Sequence, residues 1–482
     1  MTNKKRPNIL IFVMDTQSVR NMTPYGFDKE TTPNLQTIAS EGTVYENHFV
    51  TAAWTVPSFA SLFTGKYQSG HGAGASFNFL SREIPTLAEL LSRTGYQTVA
   101  LAEVSAASSG WVSHDETDLC RGFEEFIPIF RHGEEINAGS EARPIFKYAE
   151  GEDSGSTRAI RLVKEWFEKR YDPEKPFFMM IRCTDPHLTV WAPQPFRGRF
   201  LPEGVSDHEA LEVNQDVYLQ CMGLVPDRPG GYMNERDWEI LKGLYDGETA
   251  CLDHRMGLLF DYLTAKEILD DTLLIITGDH GDLLDRDGFL GHEPLALFDD
   301  LLHTPLIVRC PGVVPEATRV SHLVQICDWF PTILDLLELE ETAIRGEMQG
   351  VSLIPTWSNE PVREYIIAEH QPLLLEAEWF VENDMDYRSW MQSLKALRTL
   401  DWKYIWCSDG NDMIFDIRTD PGETNNLIAT ESSRASAMRK KLEGFLLSIE
   451  QRDYGDKLAR HYTPYIRHLK TWGYFRELRF PS

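Results

Sequence analysis

Asp15, Asp185, His187, Asp279 and His280 each close or directly follow a short apolar run, and carboxylates and imidazoles are side chains that hold divalent cations. Asp15 ends NILIFVMD (8–15). Asp185 and His187 end KPFFMMIRCTDPH (175–187). Asp279 and His280 follow LLIIT. Such nearly continuous apolar runs read as parallel strands buried on both faces. In open α/β sheets ligands gather beyond the carboxyl ends of the strands, so these residues are expected to converge on a divalent-metal site. Taken singly, an Asp after a strand is commonly a turn or cap residue. The Asp279–His280 pair between Gly278 and Gly281 is a more specific signal, because glycine lets backbone approach a ligand closely.

A hydroxyl comes from TAAWTVPSFASLFTG (51–65). Pro57 fits the first turn of a helix, which places Thr55 just before or at the N-cap. On one reading Thr55 only caps that helix. On the other, a hydroxyl at a helix N-terminus beside a metal is an activated nucleophile aimed at an anionic substrate. The residues alone leave both open.

The elements that must position these groups alternate. TPNLQTIASEG (32–42) reads as a helix, PTLAELLSRTGYQTVALAEV (85–104) as helix, glycine stop and strand, and 252–281 as helix, turn and strand. HTPLIVRCPG (303–312) reads as a strand and WFPTILDLLELE (329–340) as a helix. That alternation predicts an α/β fold, a large, mostly parallel sheet with helices on both faces. After about residue 360, REYIIAEH, KALRTLDWKYIWCS and DMIFDIRTD predict a small antiparallel C-terminal sheet, with ESSRASAMRKKLEGFLLSIEQR as a helix against it. The expected domains are therefore 1–360 and 361–482. Two irregular stretches, about 105–155 and 190–235, are longer than ordinary loops and are candidates for functional segments.

Among 482 residues, 47 Lys and Arg stand against 74 Asp and Glu, a net charge of −27. So acidic a surface argues against nucleic acid and anionic lipid as partners. It does not argue against an anionic small substrate, because a bound cation reverses the local field. The seven cysteines are scattered, with no metal-knuckle spacing. No apolar run reaches membrane length and no cleavable leader is evident, so the expected location is the cytoplasm. The aromatic tail (452–482) is expected to make subunit contacts in a homo-oligomer.

Read together, RPNILIFVMD, TTPNLQTIASEGTVYENHF, WTVPSFASLFTGKYQSGHG, CTDPH, TGDHG and FDIRTDPGETNNL resemble the sulfatase family of the alkaline phosphatase superfamily, in order and over nearly the whole chain. The resemblance implies an alkaline-phosphatase-like sandwich and one active-site metal held by Asp15, Asp279 and His280, with the nucleophile Thr55 also touching it. It implies that His187 contacts the substrate anion or leaving group and that His292, in FLGHEP, supplies another cationic contact. His71, in QSGHG, also matches a family position but reads as structural. Oxygen ligands suit Mg²⁺, Mn²⁺ or Ca²⁺, and the histidine also admits Zn²⁺.

The departures bear on chemistry. The family carries Cys or Ser at the nucleophile and oxidises it to formylglycine. Here Thr55 carries a methyl on its carbinol carbon, so oxidation could give only a ketone. Phe59 stands in place of the motif arginine, and Thr16 in place of a second carboxylate. A formylglycine hydrate expels sulfate with its second hydroxyl, which threonine lacks, whereas a phosphothreonine can be attacked at phosphorus by water. The favoured function is therefore hydrolysis of phosphate or phosphonate esters. The alternatives are a sulfuric ester hydrolase on the same fold and a catalytically inactive binding member.

Overall fold

The computed structural model describes residues 6–74, 80–104, 117–130, 155–213, 215, 233–286, 288–292, 296–371, 392–449 and 452. The stretch 453–482, on which the subunit-contact expectation rests, lies outside them. The strands are β1 (Asn8–Met14), β2 (Thr43–Phe49), β3 (Gln97–Val104), β4 (Glu125–Phe130), β5 (Phe177–Cys183), β6 (Thr272–Gly278), β7 (Leu283–Arg286), β8 (Phe289–Gly291), β9 (Leu306–Arg309), β10 (Thr318–Gln325), β11 (Ile366–His370), β12 (Leu394–Arg398), β13 (Trp402–Cys407) and β14 (Met413–Asp416). Eight form the main sheet in the order β10-β2-β9-β6-β1-β5-β3-β4. All pairings in it are parallel except those of β9, which runs against both β2 and β6. β7 and β8 make a hairpin, and β11 to β14 form the antiparallel second sheet.

Successive side chains of a strand face opposite ways, and here both faces are dry. Ile9, Ile11 and Val13 of β1 enter one hydrophobic cluster, whereas Leu10, Phe12 and Met14 enter the other. The first face is covered by α2 (Thr55–Thr64), α3 (Leu87–Arg93) and α6 (Trp329–Leu336), through Val56, Phe59, Leu90 and Ile333 among others. The second is covered by α1 (Pro33–Ser40), α4 (Gly155–Lys169) and α5 (Glu235–Ala265). The second sheet closes the layered stack. Ile366, Ala368, Ala396 and Ile405 join the first cluster, and its other face packs on α7 (Ser432–Ser448).

α5 begins well before the helix predicted around residue 252. Asn234 caps it reciprocally with Asp237, each side chain accepting the other's backbone N–H. Its interior glycines disguise it. A Cβ at Gly243 would lie 2.7 Å from the carbonyl oxygen of Phe200, and one at Gly247 would lie 2.7 Å from that of Phe196. Close crossing of a neighbouring segment, not helix breaking, explains both. No helix among the described residues is long and apolar enough to cross a membrane.

A buried ionic cluster ties the two sheets together. Lys403, fully buried, places its Nζ 2.8 Å from Asp299 Oδ1 and 2.7 Å from Glu423 Oε1, and Arg398 Nε donates to Asp299 Oδ2 at 2.8 Å. Removing one partner of a buried pair leaves an uncompensated charge and costs about 3–5 kcal/mol. Lys403→Met is therefore expected to lower unfolding stability by about that amount in urea titration. A loss below about 0.5 kcal/mol, the range of an ordinary surface substitution, would contradict the account.

Candidate active site

The strand registers bring the acids together. Met14 of β1 pairs with Gly278 of β6, so the next residues, Asp15 and Asp279, leave adjacent strands side by side. Both continue the alternation of Val13 and of Ile275 toward the face that α2 covers. Each is fully or almost fully buried. One oxygen of each is already used. Asp279 Oδ1 accepts the backbone N–H of Thr16 at 3.2 Å and of His280 at 3.0 Å, and Asp15 Oδ2 is paired with the Arg182 guanidinium. The others, Asp15 Oδ1 and Asp279 Oδ2, are buried with no hydrogen-bond partner.

His280 faces that orphaned pair. Its Nδ1 donates to the Gly281 carbonyl at 3.0 Å, so Nε2 carries the lone pair. Nε2 lies 3.1 Å from Thr55 Oγ1, 3.6 Å from Asp15 Oδ1 and 3.7 Å from Asp279 Oδ2. Burial, with His292 adding to it, pushes the His280 pKa down to about 3, which keeps the imidazole neutral. Burial raises Asp15, but Arg182 and the neighbouring histidines outweigh it and hold it at about 2. Burial and then the Asp15 charge push Asp279 upward. Ligand atoms from Asp15, Asp279 and His280 all lie within 4.8 Å of one another. Two bare carboxylate oxygens and one neutral imidazole are a donor set that fits a divalent cation.

Thr55 is not the N-cap. α2 starts at Thr55 itself. Trp54 takes the cap position with extended backbone, and no side chain caps the helix. The Thr55 hydroxyl is turned to His280 instead, and the residue is buried. The reading of Thr55 as a mere cap is thereby overturned. Thr16, beside Asp15, adopts a left-handed φ of 57°, uncommon for a β-branched residue, and its hydroxyl is buried without a partner.

Two further histidines border the cluster. The His292 ring stands 4.3 Å from that of His280 and 4.9 Å from that of His187. His292 Nδ1 lies 2.7 Å from Asp282 Oδ1, and His187 Nδ1 lies 2.5 Å from the Leu188 carbonyl. Asp185 belongs neither to that ligand group nor to the second one, formed by His280, Asp282 and His292. Its Oδ2 accepts the Ser156 N–H at 3.2 Å, at the start of α4, which corrects its expected place among the converging ligands. The role expected of the flanking glycines also changes at Gly281. A Cβ there would fall 2.0 Å from the Asp300 carbonyl oxygen, so this glycine admits neighbouring backbone rather than a ligand. His71 is structural, as expected. It is fully buried, with Nδ1 accepting the Ala73 N–H at 3.1 Å and Nε2 3.1 Å from Ser61 Oγ.

Sequence reasoning missed Arg182 and Asp282. The signal for Arg182 was present, since an arginine inside FFMMIRC interrupts an otherwise apolar strand. Asp282 stood three residues after Asp279 and was passed over because no strand end pointed to it.

Residues 7–339 match the Sulfatase family, and residues 293–452 match the family of C-terminal regions described as N-sulphoglucosamine sulphohydrolase, C-terminal. The choline-sulfatase of Rhizobium meliloti is 26% identical over 471 residues, covering 91% of this chain and 85% of that one. The arylsulfatase of Clostridium perfringens is 24% identical, covering 96% and 100%. Among solved structures, the phosphonate monoester hydrolase of Agrobacterium radiobacter superposes with a TM-score of 0.71 at 21% identity, covering 92% of this chain and 96% of that one. Sequence match and architecture agree: this chain belongs to the sulfatase family and is a hydrolase acting on ester bonds.

Proposed function

We propose that the protein hydrolyses phosphate or phosphonate esters of small molecules through Thr55, with one divalent cation held by Asp15, Asp279, His280 and Thr55. The observation that carries this reading is the Thr55 hydroxyl, buried at the first turn of α2 and 3.1 Å from His280 Nε2. A hydroxyl recruited only to cap a helix would not face the metal-type cluster. The cation, when bound, supplies Lewis acidity to the substrate oxygen and lowers the pKa of the Thr55 hydroxyl. Mg²⁺, Mn²⁺, Ca²⁺ and Zn²⁺ all remain compatible with the donors.

The chain's own residues account for the rest. Thr55 Oγ1 releases its proton to solvent and attacks phosphorus, and the bond to the leaving oxygen breaks. That oxygen takes a proton from His187 or His292, whose rings border the cluster. Water then attacks the phosphothreonine at phosphorus. Its proton returns to the histidine, the P–O bond to Thr55 breaks, and the Thr55 oxygen takes back a proton from solvent. No second hydroxyl on the nucleophile carbon is needed, and threonine offers none. Sulfate ester hydrolysis is the second reading, favoured by the choline-sulfatase and arylsulfatase among the relatives. The seven cysteines are scattered, with no spacing of a disulfide framework, which supports a reducing compartment such as the cytoplasm.

A matched set of chromogenic phosphate monoesters, phosphodiesters, phosphonates and sulfates, assayed with each of the four metals, tests the reading. Turnover is expected on a phosphorus ester. Turnover confined to sulfate esters would replace it with the second reading. Asp279→Ala is expected to abolish both metal binding and turnover, by equilibrium dialysis and initial rates. Full activity in metal-free Asp279→Ala protein would refute the ligand assignment. Thr55→Ala should cut kcat by about a hundredfold or more, as loss of a directly acting group does, with thermal stability little changed because no cap is lost. Thr55→Ser should retain measurable turnover. Wild-type rates in Thr55→Ala would move the attack to water.

A further inference from the structure

Arg182 has no part in the reading above, yet it is the charged residue most intimately joined to the acids. Val13 of β1 pairs with Arg182 of β5. Phe178 and Met180 alternate with Arg182 and enter the cluster under α2, so the Arg182 side chain leaves the same sheet face as Asp15. One strand over and two residues on is a diagonal neighbour, within reach of a long side chain. The guanidinium, 9% exposed, pairs with Asp15 Oδ2. That contact leaves Oδ1 as the atom of Asp15 that looks toward Asp279 and His280. On the opposite side, α2 brings no cation. Its Phe59 is buried against Phe63, and Thr16 adds no negative charge next to Asp15.

We infer that Arg182 is a built-in cation of the metal centre, a positioning residue that acts through Asp15. It restricts Asp15 to one ligand oxygen. Its permanent charge also offsets one of the two carboxylates, so the centre takes a single divalent ion and holds it less tightly than two unopposed acids would. This inference rests on the metal reading above, and the two can fail separately.

Isothermal titration of the full-length, metal-stripped protein with Mn²⁺ tests it without reference to turnover. Wild type should bind one ion. Arg182→Gln removes the charge and keeps a hydrogen-bonding side chain, and it should bind Mn²⁺ at least tenfold more tightly. Arg182→Lys keeps the charge and should stay within about threefold of wild type. An Arg182→Gln protein that folds, by circular dichroism, but binds with equal or weaker affinity overturns the inference and leaves Arg182 as an organiser of Asp15 only. If Arg182→Gln does not fold, Arg182→Met takes its place in the same titration. A tenfold shift in Arg182→Lys, in either direction, also overturns the charge argument. No Mn²⁺ binding by wild type, with none of Mg²⁺, Ca²⁺ or Zn²⁺ either, would sink the metal reading itself.

Discussion

Two carboxylates buried from solvent, Asp15 and Asp279, set the terms for everything built near them. Each offers one oxygen to a ligand group shared with His280, whose atoms all lie within 4.8 Å of one another. At that separation, with an effective dielectric constant of about 20, two unit negative charges repel by about 3.5 kcal/mol. The fold nevertheless places them side by side, because β1 and β6 are adjacent, parallel and in a register that brings their ends level. Such an arrangement calls for positive charge. Arg182 supplies part of it from β5, and the remaining donor atoms form a set that fits a divalent ion. The strained Thr16, the neutral His280 and the Thr55 hydroxyl all border the same point. A left-handed Thr16 with an unpaired hydroxyl, beside two carboxylate oxygens that also lack partners, is the kind of local strain that functional sites retain.

Much of this was legible in the sequence because buried parallel strands leave a plain signature. NILIFVM, FFMMIRC and LLIIT are continuous apolar runs only because both faces of the sheet are covered, and their polar ends mark the ligand side. Asp15, Asp279 and His280 followed from that rule. Asp185 followed from the same rule and went elsewhere. A strand end fixes where a residue leaves the sheet, but not whether its side chain turns inward or back to cap α4. The Thr55 position was one residue off at the level of the helix boundary, yet that residue decides its chemistry. At the N-cap its oxygen would be spent on the backbone. At the first helical residue it is turned to His280.

What stayed hidden depended on distant contacts. α5 was obscured by Gly243 and Gly247, whose reason is the backbone of residues 196–201 crossing close by. Arg182 could have been found by parity. Once β5 is set parallel to β1, alternation puts Phe178, Met180 and Arg182 on one face, and a buried arginine there needs an acid. Asp282 gave no comparable cue, since its partner His292 lies across the β7–β8 hairpin. Membership of the sulfatase family fixes the fold and the reaction class. It does not fix the nucleophile, and the proposed one, Thr55, differs in chemistry from the formylglycine that the resemblance would suggest.

The account turns on Thr55 becoming covalently bonded to phosphorus during turnover. The direct measurement is acid-quenched mass spectrometry of the peptide containing Thr55, taken while the metal-loaded enzyme turns over a slow aryl phosphonate or phosphate ester. The account predicts a peptide carrying the phosphoryl or phosphonyl group on unmodified threonine, appearing with the first burst of released phenol and disappearing when substrate is exhausted. A Thr55 peptide that stays unmodified through steady turnover, with no burst of phenol, would contradict it.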